Sequence, residues 1–185
     1  SEGSAVSYDD AGQQWTARYQ HETIALAFSI TEEAEEDGQY GSIASRYTKA
    51  LARSMASTKE IKAANVLNNA TTANGGDGTT LLSTSHPTQN GNQSNTLATA
   101  ADLSETSLES ILIQIADMKD DRGLRIAAQG TQLVIPTAYT FVAERLLESQ
   151  LRTGTADNDI NAIKSGGYLP QGYHVMRRLT DADAF

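Results

Sequence analysis

Residues 39–69, QYGSIASRYTKALARSMASTKEIKAANVLNN, constrain this chain more than any other stretch. Tyr40, Ile43, Tyr47, Leu51 and Met55 recur at steps of three and four, which gathers them into one apolar stripe of a helix. If continuous, such a helix spans roughly 46 Å at 1.5 Å per residue. That is longer than a domain of 185 residues ordinarily uses. The carboxylates of TEEAEED, 31–37, stand just before its N-terminus, where the helix dipole favours negative charge. Arg46, Lys49 and Arg53 fall within about 60° of one another at about 100° per residue. They read as a solvated face or as a contact surface for another chain or a polyanion.

Charge is segregated along the chain. Residues 1–37 hold nine acids and one Arg, a balance of −8. Residues 38–69 hold five bases and Glu60, a balance of +4, and the remainder brings the total to −9. An acidic arm therefore precedes a basic rod. Complementary potentials of this kind fix register between partners, so copies of the chain can meet acid against base. The overall negative charge argues against a generic nucleic-acid binder.

Other totals narrow the chemistry. With no cysteine there is no disulfide framework and no thiolate metal site, and only His21, His86 and His174 could offer imidazole ligands. No apolar run approaches the roughly 18 residues that span a bilayer, and SEGSAVSYDD lacks the features of a signal peptide. The expectation is a chain soluble and intracellular at synthesis, with one ordinary core or two lobes.

Residues 15–30, WTARYQHETIALAFSI, alternate with period two. Trp15, Ala17 and Tyr19 share one face, whereas Ile24, Leu26, Phe28 and Ile30 share the other, which predicts a long strand with a bulge near 20–23. From 70 to 101 the chain is rich in Gly, Asn, Ser and Thr, and reads as a loop with a short strand or hairpin near Leu81 and Leu82. A loop that long needs pinning from outside its own core. Its GGDG lacks the ending of a phosphate loop, and Ser85-His86 lacks an orienting acid in sequence.

The last third alternates. A helix starts at Asp102 or Ser104 and buries Leu108, Ile111, Leu112 and Ile115, with Gly123 at a helix end or turn. TQLVIP, 131–136, reads as a buried strand ended by Pro136. A second helix follows, with Ala138, Phe141, Val142, Arg145 and Leu146 at helical spacing, and GYHVMRRL supplies a last strand. Together these predict a compact α+β lobe attached to the rod. Between them, TADNDINAIKSGGY (155–168) resembles a calcium loop, with Asp157, Asp159 and Asn161 at positions one, three and five. Ala162 and Tyr168 replace the required Gly and Glu, so a solvated loop is the better reading.

Segments in order along the chain carry a family resemblance. EGSAVSYDD, TKEIKAANVLNNA, GGDGTTLLSTSHP, QSNTLATAADLSETSLE, DDRGLRIA, LVIPTAYTFVAERLLES, LRTGTADNDINAI and LPQGYHVMRRLTDADAF resemble the major capsid proteins of tailed bacteriophages. The similarity is greatest to the Mu-like major head subunit group, with the Hong-Kong-97-type fold. It implies an E-loop and leading strand over 1–36, and a P-domain over 37–119 with spine helix 39–69 and peripheral loop 70–101. An A-domain over 120–185 follows, and the family pattern runs longer at both ends, so an N-terminal arm and further C-terminal strands are expected outside this chain.

The implied function is a head subunit that self-assembles into pentamers and hexamers of a shell enclosing double-stranded DNA. No enzyme activity, cofactor, metal or membrane is implied. Portal, scaffold and decoration proteins are the further partners, and the location is the virion after assembly in the host cytoplasm. Arg46, Lys49 and Arg53 are then candidates for inter-subunit or DNA-facing contacts. The same fold in an encapsulin-like cellular nanocompartment is the alternative. A hydrolase or metal enzyme using Ser85, His86, His174 and Asp157 to Asn161 is the reading from another class, and nothing in the spacing gathers those groups.

Overall fold

The computed structural model describes residues 15–38, 40–152 and 159–180. The first fourteen residues of the acidic arm, Asp157 and residues 181–185 lie outside them. In chain order the elements are α1 (Glu32–Glu36), α2 (Tyr40–Asn68), β1 (His86–Thr88), β2 (Gly91–Gln93), α3 (Glu105–Ala116), β3 (Leu133–Ile135), α4 (Thr140–Glu148), α5 (Ala162–Gly166) and β4 (Tyr173–Val175). Mixed helix and short sheet make this an α+β chain.

The rod forms as its periodicity predicts. Residues of high helix propensity dominate it, and no proline interrupts the 29 residues of α2. Gly38, at a φ of +70°, lets the chain turn between α1 and α2. Yet Ala64 is the one buried residue of α2 among the described residues.

The core lies elsewhere. Leu103, Leu108, Leu133, Ile135, Ala143, Leu147 and Ile163 pack together, flanked by half-buried Ile111, Leu112, Val142, Leu146, Leu169 and Val175. Strands β3 and β4 run parallel at its centre, with Leu133 opposite Tyr173 and Ile135 opposite Val175. A parallel pair needs a crossover, and α4 and α5 supply it. Helix α3 closes the other side, held at its start by a capping box in which Ser104 and Ser107 bond each other's backbone amide.

Several expectations change here. Residues 15–31 form no strand, since an alternating segment becomes one only beside a partner ladder and none lies beside it among the described residues. The hairpin of the 70–101 region is β1–β2, with Pro87 opposite Asn92, and not at Leu81 and Leu82, which are exposed. A 3-10 turn at Thr137–Tyr139 precedes α4, whose buried residues are Ala143 and Leu147, and Phe141 is 76% exposed. The last strand is shorter than GYHVMRRL, three residues long.

Candidate functional site

The side chains that line α2 decide what this surface can do. Segment 15–31 lies against the helix in antiparallel sense: Ala17 approaches Gly76 beyond its end, Glu22 pairs with Lys62, and the Phe28 ring stands 5.6 Å from that of Tyr47. Six residues from Glu22 to Phe28 reach about 20 Å when extended, and the fifteen from Lys62 back to Tyr47 rise about 22 Å. The arm is therefore stretched almost fully along the rod. Lys62 holds the Glu22 carboxyl below its usual range.

A second segment covers another face. Arg178 donates from Nη2 to Ser57 Oγ at 2.8 Å, and its Nε lies 3.7 Å from Glu60. Asn68 donates to the Arg178 carbonyl at 3.1 Å and accepts from the Thr180 amide at 3.0 Å. Ser57, Glu60, Ala64 and Asn68 follow one another at steps of three and four, so this segment runs along one stripe of the C-terminal half.

The N-terminal half is less covered. Its apolar stripe stays half exposed, with Tyr40 at 51% and Tyr47 at 52%. Arg46, Lys49 and Arg53 continue the Ser57–Glu60 stripe toward the N-terminus, are exposed, and form no ion pair among the described residues. No acidic residue occurs between Tyr40 and Lys59. The structure thus brings the three bases together on one free face, as their spacing predicts. It also presents Trp15, Tyr19 and Leu26 of the arm to solvent.

The other sequence candidates serve different ends. Asp77 accepts from His86 Nδ1 at 2.6 Å and from Thr79 Oγ1 at 2.8 Å, bonds that hold its carboxyl down to about 2. This orienting acid, nine residues before its histidine, was invisible to a search for motifs. It does not complete a nucleophile: His86 Nε2 has no hydrogen-bond partner, and Ser85 Oγ lies 3.5 Å from Ser83 Oγ. The triangle of Asp77, Thr79 and His86 instead ties the glycine-rich turn to β1. Gln114 bonds the carbonyls of Ser94 and Thr96, and Gln93 that of Asp120, so the 70–101 region is also pinned from α3 and the turn after it.

Asn161 answers the calcium question. It is buried, its Nδ2 donates to the carbonyls of Leu146 at 2.7 Å and Ser149 at 3.0 Å, and its Oδ1 accepts from the amides of Ile163 and Lys164. Its side chain is fully engaged in joining the end of α4 to the start of α5. Among the described residues no group of three His, Cys, Asp or Glu could hold a metal ion, and no helix is long and apolar enough to cross a membrane.

An open, half-apolar rod with an extended arm is surface built for contact. A family model described as phage capsid protein matches residues 15–184, nearly the whole chain. The chain belongs to the phage capsid protein family. No curated protein and no solved structure matches it. As a capsid protein it acts with other capsid subunits in a shell, and its place is the virion. For a capsid subunit, the exposed tyrosines and bases of α2 are a candidate assembly surface rather than an unexplained cost.

Proposed function

We propose that this chain is the major head subunit of a tailed bacteriophage, of the Mu-like group and the Hong-Kong-97-type fold. Copies assemble into pentamers and hexamers of a shell that encloses double-stranded DNA. In that layout residues 1–36 are the E-loop, 37–119 the P-domain with α2 as its spine, and 120–185 the A-domain. Arg46, Lys49 and Arg53 meet a neighbouring subunit or the enclosed DNA. Assembly proceeds in the host cytoplasm, with portal, scaffold or decoration proteins as further partners.

The observation that carries the reading is the family match across residues 15–184, joined to a 29-residue helix that a single chain leaves largely uncovered. Negative-stain imaging of the expressed full-length gene product tests it. Closed shells with five-fold and six-fold clusters are expected. A product that stays monomeric, or forms only small rings at high protein concentration, refutes it.

A further inference from the structure

We propose that the acidic segment Glu32–Asp37 of one copy docks on the Arg46–Lys49–Arg53 face of α2 in a second copy. The inference rests on the shell-subunit reading and names the partner of that open face.

The two surfaces match in charge and in length. Glu32, Glu33, Glu35, Glu36 and Asp37 are all exposed, and none forms an ion pair among the described residues. The three bases are equally exposed and equally unpaired. From Arg46 to Arg53 the helix rises about 10 Å, and from Glu32 to Asp37 it rises about 8 Å, at 1.5 Å per residue. Each strip therefore presents its charges over the same distance.

The contact belongs between copies, because within one chain the two strips leave each other unused. The carboxylates sit in the turn of helix just before α2, and the bases begin about two turns into it. The rod is already engaged by its own chain, by Phe28 and Glu22 on the face away from the bases and by Arg178 on the C-terminal continuation of the basic stripe. The basic face toward the N-terminus is what those contacts leave over.

A polyanion such as DNA is the competing occupant. DNA brings only negative charge, which the acidic segment beside each set of bases repels. The same charge distribution attracts another copy, since five carboxylates come with every set of three bases. Complementary surfaces of this kind act mainly on encounter and register, and weaken as salt shortens the Debye length below ~8 Å.

The test uses the full-length chain. R46E/K49E/R53E and E32K/E33K/E36K are each expected to lower particle yield about tenfold, and the six-fold swap that combines them to restore it. In parallel, Glu33→Cys and Lys49→Cys chains are mixed and treated with a short bismaleimide. The chain has no cysteine of its own, so a cross-linked dimer that forms in the mixture, and in neither chain alone, reports the contact directly. Absence of that dimer from wild-type-like particles overturns the proposal whatever the swaps do. So does a basic-face swap that leaves particle yield unchanged and lowers retained DNA, which assigns the face to nucleic acid. If the unaltered chain forms no particle at all, the shell-subunit reading fails instead.

Discussion

Replacing Asn161 with alanine removes four hydrogen bonds at a buried junction. Two run from Nδ2 to the carbonyls of Leu146 and Ser149, and two from the Ile163 and Lys164 amides to Oδ1. Loss of an N-cap side chain costs about 1 kcal/mol. Each carbonyl left without its donor adds about 1 kcal/mol. The sum is about 3 kcal/mol, a large share of the 5–15 kcal/mol that holds a typical domain together. At 1.4 kcal/mol per factor of ten, that is about a hundredfold faster hydrogen exchange for the α5 amides where opening passes through this junction. Exchange mass spectrometry over residues 162–168 of the full chain reads it. Asn161→Asp separates the two halves of the bond set, because it keeps the cap acceptor and loses both donors to α4. It restores part of the α5 protection and leaves the α4 end loose. A calcium loop predicts the opposite, since a carboxylate at 161 would strengthen it and added calcium would raise protection. Less than about a threefold change in exchange for Asn161→Ala would refute the reasoning.

Three further outcomes follow from the same geometry. Ile135 is wholly buried in the core cluster, so Ile135→Ala should destabilise the lobe by about 3 kcal/mol in urea unfolding. Asp77 is held from 3.8 down to about 2, so its contribution is complete above 3.8 and is lost as pH falls through about 2. His86 ring resonances should report that acid transition, and Asp77→Asn should abolish it; an unchanged transition in the variant would assign it elsewhere. Amides of residues 40–56 should exchange fast in unassembled subunits and slowly in shells, and equal protection in both states would show that the rod needs no neighbour.

Local patterns were legible and distant ones were not. The rod, the Ser104 start of α3 and the strand ended by Pro136 each depend on residues a few positions apart, and each formed as read. The arm misled because its alternation is a property of the segment, whereas a strand is a property of a pair. In α4 Val142 and Leu146 pack on the core as their spacing implies, but Ala143 and Leu147 are its buried residues and Phe141 faces solvent. The Asp77–His86 pair and the two bonds that Asn161 donates to the end of α4 join residues 9 to 15 positions apart through turns with no periodicity. For Asn161 a signal was present in the polar loop itself: asparagine before Ala-Ile-Lys-Ser-Gly is a helix cap, with glycine at the left-handed C-terminal position, φ +62°. The free face of Arg46, Lys49 and Arg53 was legible because a helix fixes angular position from sequence alone.

The division between lobe and rod bears on how assembly can be controlled. Residues 103–175 hold the buried cluster and can order themselves, since their apolar groups find partners within the same stretch. The first half of α2 holds no buried residue among the described residues, and helices shorter than about 12–15 residues are marginal in water on propensity alone. Its free energy of ordering is therefore small in one chain and grows when a neighbour binds the ordered form alone, by mass action. On the proposed shell-subunit reading, such a rod gains order as the subunit joins others. The surface that recognises the next copy is then presented fully only in a context where another copy is at hand, which disfavours wrong association among free subunits. Segregated charge reinforces the arrangement, because like strips on two unaligned copies repel and only the register that sets acid against base is attractive.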